Sequence, residues 1–159
     1  HIDMDALEIS HCKDAALIRQ ALSAAPKASV PDDVRKPDLN DGETYIGLIG
    51  DAAGEAYHLV LLPGDSDAAT WQDQMDWAKS IGGDLPDRVE QAMLFKHFKA
   101  EFQDDWYWSN ETHHSNSSWA WCQSFNRGGQ NTSHKSTELR ARAVRRLPIN
   151  LESESGEDK

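Results

Sequence analysis

Residues 70–98, TWQDQMDWAKSIGGDLPDRVEQAMLFKHF, decide the fold. The stretch reads as two helices joined by a tight, buried corner. Thr70 can cap the first helix, and Asp73 places negative charge in its first turn. Trp71, Met75 and Ala78, with Trp77 and Ile81 beside them, recur on one broad apolar face. Gly82 and Gly83 end the helix, because glycine tolerates the left-handed conformation common at helix ends. Leu85 is expected to plug the corner and Pro86 to fix the chain direction. Asp87 is the expected second cap, with Glu90 three residues on completing a capping-box-like pair. Val89, Ala92, Met93, Phe95 and Phe98 give the second helix its own stripe.

Working outward, the residues before the helices predict a hairpin. Residues 44–49 and 56–62 are rich in β-formers and flank Asp51-Ala52-Ala53-Gly54-Glu55, a glycine-containing loop. His58 lies inside the second strand and reads as a satisfied structural residue. Earlier still, residues 5–25 carry Leu7, Ala15, Ile18 and Leu22 near helical spacing, until Pro26 ends the pattern. This arm can pack on its own chain or mediate self-association as a homo-oligomer. Residues 26–42 read as an extended linker, and 1–4 (His1-Ile2-Asp3-Met4) as the remnant of an expression tag. The tail, 150–159, is charged and Ser-rich and is expected to be mobile.

After the helices, Trp106-Tyr107-Trp108 and Trp119-Ala120-Trp121 suggest two short strands. Alternation puts Trp106 with Trp108 on one face and Trp119 with Trp121 on one face. The four tryptophans are expected to build a sheet core. The competing reading is a sugar-stacking platform, since aromatic faces pack on apolar sugar faces. Arg140, Arg142 and Arg146 are placed on the solvated side of a terminal strand, paired with the acidic remainder, with Ala141 and Ala143 inward.

The order Trp71, Ala78, Gly82-Gly83, Leu85-Pro86, Glu90 resembles the two-helix signature of the C-type-lectin-like fold. Within that fold it is closest to the branch holding formylglycine-generating enzymes and the variable proteins of diversity-generating retroelements. With Trp106-Tyr107-Trp108-Ser109, Ala120-Trp121-Cys122-Gln123-Ser124-Phe125 and Arg140–Arg146, residues 43–149 are similar to an uncharacterised domain family. That family is frequent in phage and prophage genomes and akin to the C-terminal domain of a collagen-like bacterial adhesin. The resemblance implies an α+β fold with two helices packed on small antiparallel sheets. It implies noncatalytic recognition of a protein or surface ligand by a phage- or prophage-encoded protein, either a retroelement-diversified variable protein or a virion or host-interaction component. The alternatives are an enzyme of the formylglycine-generating branch and a purely structural virion subunit. The enzyme branch requires a cysteine pair in the C-terminal half, where only Cys122 stands. Calcium-dependent lectins carry carboxylates in the late strands, and Ala120-Trp121-Cys122-Gln123 has none.

Composition narrows the classes of partner. A net charge of −11 opposes nonspecific nucleic-acid binding, which rests on phosphate neutralisation. No apolar run reaches the length of a membrane span, and no signal peptide is visible, so a cytoplasmic or virion-associated location is expected. Cys12 and Cys122 read as free thiols. His113, His114 and His134 lack the spacing and companions of a zinc set, so neither metal nor cofactor is expected. The stretches 113–118 and 126–137 are short, polar and hydrogen-bonding, and read as surface loops. Their composition resembles a paratope. Asn116, Asn126, Arg127, Gln130, Asn131, Ser133 and His134 are the candidate ligand contacts.

Overall fold

The computed structural model describes residues 34–149. The expected N-terminal helix, the tag remnant, Cys12, the first part of the linker and the tail lie outside the described residues. Over that range the chain is mixed α+β, with two helices and two sheets. Strands β1 (Thr44–Gly50) and β2 (Ala56–Leu61) form the expected hairpin, and β8 (Val144–Ile149) pairs with β2 to complete a three-stranded sheet. The second sheet has the order β3-β7-β4-β5-β6. Its strands are β3 (Ser66–Ala69), β4 (Trp106–Thr112), β5 (Trp119–Ser124), β6 (Gln130–His134) and β7 (Leu139–Ala141). One pairing departs from the expected antiparallel pattern. β7 runs parallel to β4, meeting it where Tyr107 faces Arg140, while remaining antiparallel to β3 on its other side.

Helices α1 (Trp71–Ser80) and α2 (Arg88–Phe98) occupy the expected stretch. The Thr70 side chain accepts the Asp73 N–H, and the Asp87–Glu90 capping box is complete in both directions. Gly82 ends α1 at φ +86°, and Gly83 donates its N–H to Ala78 O at 2.9 Å. A Cβ on Gly83 would lie 2.6 Å from both Leu62 Cδ1 and Val144 O, so no larger residue fits there. Asp84 exchanges two backbone hydrogen bonds with Val144, stitching the corner to β8, and Leu85 is fully buried.

The core has two parts, one on each side of β4. Trp108 joins Leu62, Ala78, Leu85, Ala120 and Cys122 under α1, with Trp71, Met75 and Trp77 closing the edge. Tyr107 points the other way, among Leu59, Leu61, Leu94, Phe125 and Val144 under α2, where Phe102 stacks on Phe125 with centroids 3.9 Å apart. Period-two alternation therefore buries both faces of this strand.

Several apolar positions depart from expectation. Ile81 is 40% exposed, and Val89 and Ala92 face solvent, Val89 at 67%. The first turn of α2 instead turns polar residues inward. Gln91 donates to both Tyr107 O and Trp108 O at 3.1 Å, and Glu90 is fully buried. The arginines also differ from a single solvated strand face, because the chain changes sheets between β7 and β8. Arg142 is buried in that gap and donates to the backbone carbonyls of Leu62 and Glu101. Arg146 forks onto Glu90 Oε1 and Oε2 at 2.7 Å each and donates to Asp84 Oδ2 at 2.7 Å and Leu85 O at 3.0 Å. Arg145 pairs with Glu43, and Arg140 with Asp65 and Asp105. The acidic partners are those expected in kind, but at Arg146 one of them, Glu90, is fully buried in the corner, and Asp84 is partly exposed.

No described helix is long and apolar enough to cross a membrane.

Candidate recognition surface

β5 has small residues on its α1 side and large ones on its α2 side. Ala120 and Cys122 pack into the core beneath α1, so Trp119, Trp121 and Gln123 project toward α2. In the register of the sheet, Gln123 lies opposite Tyr107, which is wholly covered by α2 and its neighbours. The helix runs out along this face. Gln123 is still buried, Trp121 is half-buried, and Trp119, at 37% exposed, lies past the helix start. The expectation that all four tryptophans build the core therefore holds in full only for Trp108. Trp106, at 36% exposed, sits at the strand's beginning and lines a groove with Asp104, Asp105, Asn126 and Arg127.

Arg88, the first residue of α2, closes over Trp121. Its guanidinium carbon lies 3.5 Å from the ring centroid, and its Nε donates to Gln130 Oε1 at 3.0 Å. Its own backbone N–H is held by Glu111 Oε2 at 2.7 Å. Gln130 returns a hydrogen bond to Arg88 O at 2.8 Å and another to Gln123 Oε1 at 2.9 Å. A shallow groove follows, lined by Arg88, Val89, Ala92, Glu111, Gly128 and Gln130. Gly128 is required there, because a Cβ would meet the Phe95 ring at 2.6 Å and φ is +89°. Beyond Trp121 the face continues in rings. His113 stacks on Trp121 at 6.2 Å and on His114 at 4.6 Å, and His134 meets Trp119 edge-on at 5.7 Å.

The seven candidate residues do not converge on one point. Asn116 is exposed in the 113–118 loop, where its Oδ1 accepts the Ser118 N–H at 3.1 Å. Asn126 and Arg127 are exposed in the turn after β5, beside Trp106. Residues 130–134 form strand β6 and not the expected loop, since they pair along the whole of β5. Within it Gln130 is committed to Arg88 and Gln123, and Ser133 turns toward Cys122, its Oγ 3.6 Å from Sγ. Asn131 and His134 are exposed on the strand that ends the sheet. Arg88, Trp119, Trp121 and His113 were not among the candidates. The signal that could have found them is Ala120 and Cys122, because small residues alternating with tryptophan mark the tightly packed side of a strand and send the large rings the other way.

No acidic residue occurs between Glu111 and Glu138, in a chain with 27 Asp and Glu. Residues 112–137 therefore add no negative charge to this surface of a strongly acidic molecule. Burial raises the pKa of the Cys122 thiol, which accordingly stays protonated and unreactive. Among the described residues, no three His, Cys, Asp or Glu gather to hold a metal. Neither a scan against protein-family models nor a search of curated proteins finds a match for this chain.

Proposed function

We propose that this is a noncatalytic recognition domain of C-type-lectin-like type, part of a phage- or prophage-encoded protein, and that it binds a protein partner. The binding surface is the uncovered end of the α2 face, with Trp119 at its centre and Asn116 and His134 beside it. One observation carries this reading: Trp119 lies on a rigid sheet at the point where α2 stops covering it. Exposed tryptophan beside arginine, histidine and short amides is the composition of interface hot spots and of paratopes. The Trp121 ring already carries Arg88, which leaves no paired tryptophan platform for a sugar and favours a protein surface. The fold assignment is supported by the corner, whose two glycines, buried leucine and capping box lie where the resemblance requires them. The test is binding by surface variants, once a partner is in hand. Trp119→Ala and His134→Ala should each weaken it tenfold or more, about 1.4 kcal/mol, with the melting temperature within a few degrees of the parent. Binding that survives both changes but is lost on altering Leu48, exposed on the other sheet, would contradict the assignment.

A further inference from the structure

Two matching turns flank Trp119. The motif His-x-Ser occurs as His113-His114-Ser115 and as His134-Lys135-Ser136. In the first, the Ser115 backbone N–H donates to His113 Nδ1 at 3.1 Å, with Ser115 Oγ 3.3 Å from the same nitrogen. In the second, the Ser136 N–H donates to His134 Nδ1 at 3.1 Å, with Ser136 Oγ at 2.7 Å. The two turns are tied together. Lys135 N–H donates to Ser118 O and His113 N–H to Trp119 O, each at 2.8 Å, and Trp119 lies opposite His134 in the β5–β6 register.

A backbone N–H can only donate. Each Nδ1 must therefore present a lone pair, so in the closed turns both rings are neutral with their proton on Nε2. A proton on Nδ1 would set donor against donor. The serine hydroxyl can turn round and accept from the protonated ring, but the backbone N–H cannot, so it is released.

We infer that His113 and His134 form a pH-operated latch on the recognition surface, closed around Trp119 when neutral and open when protonated. The inference rests on the recognition reading for the site that it regulates. The charged and titratable groups near the two rings are few. His114 stacks on His113, and Arg88 reaches from α2 onto the same Trp121 ring. Lys135, next to His134, places its ammonium 4.1 Å from the centroid of the Trp71 ring at the start of α1. The acids on the adjoining segments are Glu111, which accepts the Arg88 N–H, Asp73 in the first turn of α1, and Glu138. Among the described residues no ion pair joins any of them to either ring. The sign follows from the hydrogen bonds: the closed turns need a lone pair on each Nδ1 and are lost when that nitrogen takes up a proton.

Ring-nitrogen NMR on the labelled protein tests this without a partner. At about pH 8, both Nδ1 atoms should resonate as unprotonated nitrogens and the Ser115 and Ser136 amide protons as hydrogen-bonded ones. Titration to about pH 5 should move each amide out of its hydrogen-bonded position together with its own ring. Asparagine at the histidine position can accept the same N–H two residues on, as Asn116 already does for Ser118, and it does not titrate. In His113→Asn/His134→Asn both amides should stay fixed across the range, and in either single variant only the amide of the substituted turn should stay fixed. Nδ1-protonated tautomers at about pH 8, or amides that ignore the ring titration in the parent, would overturn the latch. Loss of the recognition reading looks different: binding would ignore Trp119→Ala while the turns still titrated.

Discussion

β4 and β5 lie side by side and carry the same pattern, Trp106-Tyr107-Trp108 and Trp119-Ala120-Trp121, yet they use it in opposite ways. In β4 the second tryptophan and the tyrosine between the pair are both buried, one under each helix. In β5 the residue between is the one buried, and the tryptophans face out along the α2 side. The difference comes from the third dimension. α2 begins at Arg88, so the sheet face is covered as far as Trp121 and bare at Trp119. A strand pattern states which residues share a face. What lies over that face is set by where another element starts.

The largest effects should come from the covered side. Trp108→Ala should lose about 3–5 kcal/mol in denaturant unfolding, as for other buried aromatics, and its indole also donates to Ala69 O at 3.1 Å. A loss below about 1 kcal/mol would erase the contrast with β5. Glu90→Ala should cost a similar amount. The substitution takes both Glu90 oxygens from the half-buried Arg146 guanidinium, which keeps Asp84 and the Leu85 carbonyl, and removes the acceptor used by Tyr57 Oη; breaking such a pair costs about 3–5 kcal/mol. Replacing Glu90 and Arg146 together by apolar residues should recover part of that loss. Leu85→Ala follows at about 2–5 kcal/mol, and a fully stable mutant would remove the corner as the organising element.

A smaller effect separates the two sheets by pH. The Arg145 guanidinium, hydrogen-bonded to Glu43, holds that carboxyl at about 2, against an ordinary value of 4.5. The folded group is the stronger acid, so its contribution is whole above about pH 4.5 and drains away as pH falls toward about 2. Glu43→Gln should lack that part of the acid-unfolding slope while leaving the β5–β6 end unchanged. An acid limb identical to the parent's would mean that the Glu43–Arg145 pair does not anchor β1 to β8.

The local features of the corner were legible because they are local. Thr70, Asp87 and Glu90 act within one turn, and Gly82 and Gly83 act through their own backbone. The hairpin was legible for the same reason. The fate of Glu90 and Arg146 was not, because the two residues meet from 56 positions apart and their burial depends on Asp84 and Tyr57 as well. The buried Gln74 and Gln91 were hidden similarly. Each satisfies strand carbonyls across the helix–sheet interface, a demand that a hydrophobic pattern does not register. At the surface, composition identified the polar segment between 113 and 137. It missed that residues 130–134 are a strand, and that the exposed centre is a tryptophan in a pattern read as core.

On this reading Trp119 belongs to the surface and not to the fold. Denaturant unfolding of Trp119→Ala decides between the two. The expected change is within about 0.5 kcal/mol of the parent, as for an ordinary surface position. A loss of about 3 kcal/mol or more, equal to that of Trp108→Ala, would make Trp119 a core residue and leave the proposed recognition surface without its centre.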